Sequence, residues 1–461
     1  MTLYKKQAQR VMRVLVLSHS SELSGGAERS MLDLFDEWVS KGLVEPYFIL
    51  RKPLAGLEKE ITKRGWRYTS VYYTNWAQRN PTTRKDSIFL NTKTNSKAIY
   101  EIEKLIDEIS PDIVMTNTII SPWAALAAYY KQVPHVWFVR EFGTIDHGHI
   151  FEIGRDKTFH DIGILSKMVI TNSNTVSQNI SEFIDDDKLT VLYNPFKIIK
   201  IQEQATESIQ NPFVKKDSLK LIMIGRISES KGQSNAADAV GRLVKKGYNI
   251  ELCIVGSPSL RDDDASLRRV IEKYEIQDRV HIVGQKTNPL PYVAAADIGV
   301  MASRMEAFGR VTFEYMVLGK PVIGAKSGAT PELIEQNYNG RLFDVENPKS
   351  LADNIEFYLK NSKIISKHGT NAKLKAENMI SGDSSAEKVF KKIENALDSW
   401  KRKPLDVINF THRWLEYPFL AQEFIDEYRQ LSLKRILYSK VRARIKYIYV
   451  GLNGRFGKWK K

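Results

Sequence analysis

Residues 306–314 read EAFGRVTFE, so that Glu306 and Glu314 stand with seven residues between them. The apolar segment GKPVIG at residues 319–324 follows, and SGATPE at residues 327–332 comes next. A loop, a helix, a strand and a glycine turn in this order would bring both acids and several free backbone N–H groups to one cleft. Such a cleft suits a sugar nucleotide, because carboxylates accept hydrogen bonds from hydroxyls and amides donate to a diphosphate.

β-Rich runs alternate with helical patterns from residue 12 to about residue 345, which predicts parallel βαβ units and an α/β fold. In the first half we predict strands at 13–18, 111–116, 133–139 and 168–171, a helix at 27–41, and a long polar loop over the cleft at 74–95. In the second half we predict strands at 219–224, 250–255, 280–283, 298–301 and 322–325, with helices at 236–246, near 266–274 and between 348 and 400.

The pattern breaks near Asn194-Pro195, and residues 200–218 are polar without periodicity. We therefore predict two doubly wound, Rossmann-like domains that face each other across a cleft, since ligands of open parallel sheets bind at the carboxyl ends of the strands. The predicted units are a first domain at 1–197, a linker at 198–218, a second domain at 219–400 and a basic helical appendage at 401–461.

The chain has 461 residues, enough for two or three domains with full cores. Its one cysteine, Cys253, lies in an apolar run, where we expect a buried structural thiol rather than a nucleophile.

No run reaches the ~18 apolar residues that span a bilayer. The apolar stretch 11–17 is interrupted by Arg13 and indicates a strand rather than a signal, so we expect a cytoplasmic protein.

The net charge of +15 is concentrated at the end of the chain, where residues 401–461 carry +10. Residues 431–461 contain ten Lys or Arg and no acid, with apolar residues at helical spacing. We predict a helix that binds anionic lipid at the inner face of the cell membrane, with about 1 kcal/mol from each basic residue. A solvated tail or a helix that docks on a protein remains an alternative. Nucleic acid is not expected as a partner, because the rest of the chain shows no matching basic stripe.

Residues 225–232 read GRISESKG and follow the first predicted strand of the second half. Arg226 offers planar, forked donors and Lys231 a point charge, which together suit a diphosphate. Two exposed charges in a polar turn would explain this segment equally well if it stood alone. Its combination with the 306–332 segment favours a binding role, so Arg226, Lys231 and Glu306 are the candidate catalytic residues.

The first half offers weaker candidates. Gly25 and Gly26 stand ahead of a predicted helix, where the backbone can approach an anion. The segment lacks the G-x-G-x-x-G and P-loop patterns, and a tight structural turn is an open alternative. Arg140 and Glu141 follow a predicted strand and are candidates for contact with the acceptor or the donor sugar. A surface ion pair between them is equally consistent with the sequence.

The two glutamates would suit a hydrolytic acid/base pair if their carboxyls lay roughly 5–10 Å apart across a sugar. Eight positions on one continuous helix point about 80° apart, which places Glu306 on the loop before the helix and Glu314 on the helix. Glu314 near a helix N-terminus is also favourable for the helix dipole, and this alone would explain it.

Two triple-aspartate runs, 185–187 and 262–264, stand in polar, loop-like contexts, which favours solvated charge over a metal site. His147 and His149 flank Gly148, but no partner has metal-ligand spacing. We therefore predict no metal and no cofactor, with a nucleotide-sugar as substrate.

Together these motifs resemble the retaining glycosyltransferases of family 4, which have the two-domain GT-B fold. The resemblance covers roughly residues 12–400. Ala307 and Ala329 stand where glycine is frequent in the family, and Arg140-Glu141 stands where family members often carry a His. The motifs that occur in family order are Gly225-Arg226 with Lys231-Gly232, Ala296-Asp297, Glu306 with Glu314, Gly319-x-Pro321-Val322, and Gly328 with Glu332.

The resemblance implies metal-independent sugar transfer with retention at the anomeric carbon. It implies that Arg226 and Lys231 bind the diphosphate of a UDP- or GDP-sugar. Glu314 would hold the ribose hydroxyls, and Glu306 would contact the transferred sugar. A glycan or lipid-linked acceptor would bind on the side of the first domain. Backbone amides that would complete the donor pocket are those of Phe308, Gly309, Gly328 and Ala329.

Two other classes of function remain open on the sequence. A non-catalytic partner subunit with the same fold would bind an acceptor or a companion enzyme, but it has no need for the complete set of charged residues. A hydrolase or epimerase could use the same two-domain scaffold.

Overall fold

The structure is a computed structural model that describes residues 10–23, 26–79, 85–258, 264–381 and 385–400. Within these ranges, the strands form two large parallel sheets, one in each half of the chain. The predicted α/β class with two Rossmann-like domains is confirmed. Gly25 and the predicted basic appendage at 401–461 lie outside the described residues.

The first half builds a seven-stranded parallel sheet. The strands of this half, including two outside the sheet, are β1 (Met12–Leu17), β2 (Val44–Arg51), β3 (Arg67–Val71), β4 (Ala77–Gln78), β5 (Ile113–Thr116), β6 (His135–Val139), β7 (Ile150–Phe151), β8 (Met168–Thr171) and β9 (Leu189–Val191). The order is β3-β2-β1-β5-β6-β8-β9, and β4 pairs with β7 outside this sheet. The helices are α1 (Gly26–Ser40), α2 (Leu57–Lys63), α3 (Lys85–Ile109), α4 (Trp123–Tyr130), α5 (Thr144–His147), α6 (Arg155–Leu165), α7 (Asn174–Ile180) and α8 (Ile198–Gln204).

The second half repeats this design with six parallel strands. They are β10 (Leu219–Ile224), β11 (Ile250–Val255), β12 (Val280–Ile282), β13 (Ile298–Met301), β14 (Val322–Ala325) and β15 (Gly340–Phe343), in the order β12-β11-β10-β13-β14-β15. The helices are α9 (Gln233–Lys245), α10 (Ala265–Tyr274), α11 (Leu290–Ala295), α12 (Arg310–Val317), α13 (Thr330–Leu333), α14 (Pro348–Lys360), α15 (Lys363–Ser381) and α16 (Ala386–Asp398). Strand order reverses at β1 and at β10, which is where such sheets bind ligands.

The central strands are apolar along their whole length because helices cover both faces of each sheet. In β1, Leu15 and Leu17 pack into the core that contains side chains of α3 and α4. Val14 and Val16 point to the opposite face and pack with side chains of α1. Because successive side chains of β1 enter two different cores, the sequence shows an unbroken apolar run there.

The predicted loop at 74–95 is wrong in its second part, because α3 begins at Lys85. The C-terminal half of α3 buries Ala98, Ile102 and Ile106 in the first core. Once this half is packed, the costly first turn of the helix already exists. Extending the helix into the polar residues before it then adds one hydrogen bond for each residue that becomes ordered. The polar composition therefore concealed a helix that starts well before its apolar face.

The last described helix, α16, packs on the first sheet although it follows the second domain in sequence. Val389 and Phe390 join the core that contains β1 and α1, and Trp38 Nε1 donates to Ala386 O at 2.8 Å. The range predicted for the second domain, 219–400, thus ends in a helix that contacts the first domain. The other domain bounds stay a prediction. No helix in the described ranges has the length and apolar character needed to cross a membrane.

Candidate functional site

An ion pair joins the loops that follow β10 and β13. Lys231 ends a short 3-10 turn, Glu229–Lys231, and Glu306 lies in the loop before α12. Lys231 Nζ donates to Glu306 Oε1 at 2.5 Å. Burial alone would raise the pKa of Glu306, but the ammonium of Lys231, a hydrogen bond from Ser303 and nearby His147 together hold that pKa below its usual value. Glu306 is therefore a carboxylate at neutral pH.

Two glycine turns hold this pair in position. Gly232 has a φ of +74°, and a Cβ there would collide with Ala302 O at the end of β13. Gly328 has a φ of +52°, and a Cβ there would collide with the backbone of Glu306. Both positions need a left-handed backbone and close approach, which glycine alone provides without strain. The loops after β10, β13 and β14 are thereby packed together at the carboxyl edge of the second sheet.

The four predicted amide donors differ in what they contact. The amide of Ala329 donates to Glu306 O at 2.8 Å and is already satisfied. Among the described residues, the amides of Phe308, Gly309 and Gly328 have no protein acceptor. Those three amides remain candidates for binding a ligand, whereas the amide of Ala329 becomes one only if its bond to Glu306 breaks.

Arg226 lies just beyond the end of β10, on the same edge as Lys231, and its side chain is exposed. Within the part of the chain that the structure describes, its guanidinium pairs with no carboxylate. Its carbonyl oxygen accepts from Gln233 Nε2 at 3.0 Å, which fixes the turn before α9. The guanidinium is therefore available to an anion.

Glu314 lies on α12 and faces the first domain, where its electrostatic neighbours include Arg29 and Asp33 of α1. Burial raises the pKa of Glu314 above its usual value, although the guanidinium groups of Arg310 and Arg29 oppose this. Arg310 NH1 donates to Ser30 Oγ at 2.8 Å, and its NH2 lies 3.1 Å from Asp33 Oδ2. Sequence reasoning missed Arg310, because its partners lie almost 280 residues away on α1.

Arg140 follows β6 and is buried, with 7% of its surface exposed. Its Nε donates to Asn117 Oδ1 at 2.7 Å, and its NH1 donates to Asn194 Oδ1 at 2.6 Å. Burial, reinforced by neighbouring Arg310, lowers the pKa of Arg140 to about 10. Glu141 is also buried. The alternative of a surface ion pair between Arg140 and Glu141 is therefore wrong.

Acidic groups of the first domain gather near His19, which follows β1. Glu141 Oε1 accepts from Ile119 N at 3.3 Å and lies 4.0 Å from His19 Nδ1. Glu28, in the first turn of α1, which begins at Gly26, is buried, and burial raises its pKa. Sequence reasoning missed Glu28 and His19, because only the sheet brings the ends of β1, β5 and β6 together.

Glu332, on α13, connects the two domains. Its Oε1 accepts from Thr175 N at 2.7 Å and from Thr175 Oγ1 at 2.6 Å. Its Oε2 accepts from Asn174 N at 3.0 Å and from Tyr193 OH at 3.1 Å. Burial, together with this carboxylate, raises the pKa of Tyr193 to about 12. A single carboxylate of the second domain thus receives several hydrogen bonds from the first.

No group of three or more His, Cys, Asp or Glu side chains in the described ranges is placed to hold a metal ion. Asp185 pairs with Lys188 at 3.2 Å, and residues 262 and 263 lie outside the described residues. Metal independence stays a prediction.

Both halves of the chain match known protein families. Glycosyltransferase Family 4 matches residues 24–198, and Glycosyl transferases group 1 matches residues 204–375. The two matches together take in about three quarters of the chain.

A relative of the chain is the N-acetylgalactosamine-N,N'-diacetylbacillosaminyl-diphospho-undecaprenol 4-alpha-N-acetylgalactosaminyltransferase of Campylobacter jejuni. The two are 27% identical over 232 residues, which is 50% of this chain and 57% of that protein. The chain spans between about a third and six tenths of the length of the curated relatives that it matches.

Solved structures show the same fold. A glycosyltransferase from Rickettsia africae superimposes with a TM-score of 0.68 at 21% identity. Anabaena HepE in complex with UDP superimposes with a TM-score of 0.66 at 19% identity. Each alignment covers 84% of this chain and 100% of the other, so the GT-B architecture extends over nearly all of the described residues.

Proposed function

The chain belongs to the family 4 type of GT-B glycosyltransferases, and we propose that it transfers a hexosyl-type sugar from a UDP- or GDP-sugar to a glycan or lipid-linked acceptor. In this proposal the reaction retains the configuration at the anomeric carbon and needs no metal ion or cofactor. The donor lies between the two domains, with its diphosphate on the second domain and the acceptor on the side of the first.

The ion pair of Lys231 and Glu306 is the observation that carries the proposal. It holds an ammonium and a carboxylate side by side at the carboxyl edge of a parallel sheet, where open α/β sheets bind ligands. The ammonium suits the diphosphate, and the carboxylate suits the hydroxyls of the transferred sugar. Arg226 adds a second cation on the same loop as Lys231, and Glu314, on the adjacent helix, would hold the ribose hydroxyls.

The chemistry follows from charge that develops on the leaving group. As the glycosidic bond breaks, its electron pair passes to the diphosphate. Lys231, Arg226 and the free amide of Gly309 stabilise the negative charge where it forms. The acceptor oxygen bonds to the anomeric carbon, and its proton passes to an oxygen of the leaving phosphate, so that the reaction requires no protein base.

The similar proteins support a nucleotide-sugar donor and a lipid-linked acceptor. HepE has been crystallised with UDP and with UDP-glucose. The Campylobacter relative is named for a substrate that carries its sugars on diphospho-undecaprenol.

Nucleotide release from the purified full-length chain tests this function. The chain would be incubated with UDP- and GDP-sugars, with and without simple glycosides or a bacterial lipid extract as acceptor. We expect free nucleotide only when an acceptor is present. Release without acceptor would indicate a hydrolase, and no release with any donor would favour the non-catalytic partner subunit.

We propose that residues 431–461 bring the catalytic domains to the inner face of the cell membrane, where a lipid-linked acceptor is presented. The ten basic residues without an acid in this segment support an attraction to anionic lipid. Deletion of 431–461 should reduce co-sedimentation with phosphatidylglycerol vesicles and leave the low binding to phosphatidylcholine vesicles unchanged. Equal sedimentation of both proteins with anionic vesicles would remove the membrane from the proposal.

A further inference from the structure

A buried guanidinium of the first domain forms no ion pair with a carboxylate of the described residues. Arg140 is held through Nε and NH1 by the amide oxygens of Asn117 and Asn194. Its NH2 has no hydrogen-bond partner among the described residues. Amide oxygens satisfy donors but supply no negative charge, and buried charges in proteins are otherwise paired. Glu141 and Glu28 oppose its charge through space, but they do not offset burial and the neighbouring Arg310. The side chain therefore has a free donor and a charge that is only partly compensated.

Arg140 lies on the side of the first domain that is near Arg310 of the second. It follows β6, and Asn117 follows β5, so that both lie at the carboxyl edge of the first sheet. Asn117 Nδ2 donates to Ala27 O in the first turn of α1 at 3.4 Å. Arg310 of the second domain reaches the same helix through Ser30. Two guanidinium groups, one from each domain, thus converge beside the start of α1.

Unsatisfied acceptors lie beside the unsatisfied donor. Asn172 Nδ2 donates to Arg140 O at 3.0 Å, and Asn172 Oδ1 is buried without a partner among the described residues. Glu28 Oε1 is likewise buried without a partner there. A ligand that carries anionic oxygens together with hydroxyl groups would satisfy both kinds of atom. The hydroxyls of a neutral sugar could donate to the acceptors and accept from Arg140 NH2, but they would add no negative charge to compensate the guanidinium.

We propose that Arg140 forms a subsite for an anionic substituent, a carboxylate or a phosphate, on the transferred sugar or on the acceptor. The subsite rests on the proposed function and gives that function a substrate class, an acidic or phosphorylated sugar. It is separate from Lys231 and Arg226, which lie on the second domain and bind the donor diphosphate.

Two variants of this subsite remove its positive charge, and one of them, Asn194→Asp, does so with little change in shape. Arg140→Gln removes the cation. Asn194→Asp keeps the guanidinium and places a carboxylate on its NH1, so that the charge is neutralised inside the protein and the fold is retained. Asn249→Asp is the matched control, because Asn249 Oδ1 accepts from Arg279 NH1 at 2.7 Å on the exposed surface of the second domain.

Calorimetric titration of the full chain with matched pairs of probes tests the proposal. The donor arm compares UDP-glucuronic acid with UDP-glucose and GDP-mannuronic acid with GDP-mannose. The acceptor arm compares glucose 6-phosphate with glucose in the presence of UDP or GDP. The arm in which the anionic probe binds more tightly identifies the molecule that carries the anion. Binding of UDP and GDP alone reports on the donor diphosphate and on the fold of each variant.

We expect the anionic probe of one arm to bind about tenfold or more tightly than its neutral partner, on the scale of a charge-assisted hydrogen bond. Arg140→Gln and Asn194→Asp should abolish this preference and leave UDP or GDP binding unchanged, and Asn249→Asp should preserve it. Equal affinities in both arms, or a preference that survives in both variants, would overturn the subsite. Loss of UDP and GDP binding in Arg140→Gln would also overturn it, by assigning Arg140 to the diphosphate. No binding of UDP or GDP by the unaltered chain would instead contradict the proposed function.

Discussion

The polar groups at the carboxyl edges of the two sheets differ in whether they are already paired. On the second domain, Lys231 and Glu306 neutralise each other at 2.5 Å. On the first, Arg140 NH2 and Glu28 Oε1 are buried without partners among the described residues. A ligand on the second domain must join or displace an existing ion pair, whereas a ligand on the first would satisfy groups that the protein leaves unsatisfied. Under the proposed function, the second domain would bind the group that all donors share, the diphosphate, and the first domain would select the group that varies.

Removing the cation of the second domain should have the largest effect. Lys231→Ala should lower turnover about a hundredfold or more, because one preorganised cation no longer stabilises the charge that develops in the transition state. The measurement is nucleotide release under saturating donor, with Lys246→Ala, an exposed and ion-paired lysine, as the control.

The same variant leaves Glu306 buried without its ammonium. A second substitution, Glu306→Gln, should therefore restore the thermal stability of Lys231→Ala but not its turnover. Near-normal turnover in Lys231→Ala would contradict the assignment of Lys231 to the leaving diphosphate.

Glu332 is one of the groups that hold the two edges together. Glu332→Gln removes the charge that receives hydrogen bonds from Thr175 and Tyr193, and each charge-assisted bond contributes roughly 1.5–3 kcal/mol. We expect a larger radius of gyration of the ligand-free protein by X-ray scattering and about tenfold weaker nucleotide binding, because fewer molecules are closed. Glu335→Gln, an exposed neighbour on the same domain, should change neither quantity. An unaltered radius and affinity in Glu332→Gln would mean that other contacts hold the domains closed.

Glu306 and Glu28 should respond to pH with opposite signs. The pKa of Glu306 is lowered in the folded protein, so its contribution to stability is present above the ordinary value of 4.5 and is lost as the pH falls through the lower folded value. The stability difference between the native chain and Glu306→Gln, about 1 kcal/mol on the scale of one charged pair, should shrink as the pH falls below 4.5. Denaturant titrations at several pH values measure it, and a difference that grows on acidification would contradict the lowered pKa.

Glu28 should show the reverse behaviour with a smaller effect. Its pKa is raised by burial, so the folded state loses stability as the pH rises from the ordinary value of 4.5 toward the raised one. Glu28→Gln should therefore be more stable than the native chain at about pH 7, by less than about 1 kcal/mol, and equal to it at about pH 4. Thermal melts at the two pH values test this. A destabilised Glu28→Gln at neutral pH would show that the native carboxylate is paired.

The contrast between the domains also explains what could be predicted from sequence. The groups of the second domain lie in two short segments, 225–232 and 306–332, so their spacing alone identified Lys231 and Glu306. The groups of the first domain come from the ends of several strands, from His19 to Asn194, and only the sheet brings them together. Sequence reasoning therefore found Arg140 as a position but could not predict its burial.

The helices and strands show the same contrast: those determined by local sequence were predicted, and those determined by long-range packing were not. Parallel strands such as Val322–Ala325 were predicted with their observed bounds, because helices on both faces make them continuously apolar. The helix over 85–109 was missed at its polar start, where tertiary packing of its second half determines the structure. The helix at 386–398 was predicted, but its return to the first sheet depends on contacts such as Trp38 with Ala386, which no local pattern encodes.

A crystal structure with UDP or GDP bound would decide which domain holds the diphosphate. We expect the diphosphate between the domains, with oxygens within hydrogen-bonding distance, about 3.5 Å or less, of Lys231 Nζ and the Arg226 guanidinium, and with Glu306 beside the place of the sugar. A nucleotide bound elsewhere, or a diphosphate held by Arg140 instead of Lys231, would refute the assignment of the donor site to the second domain.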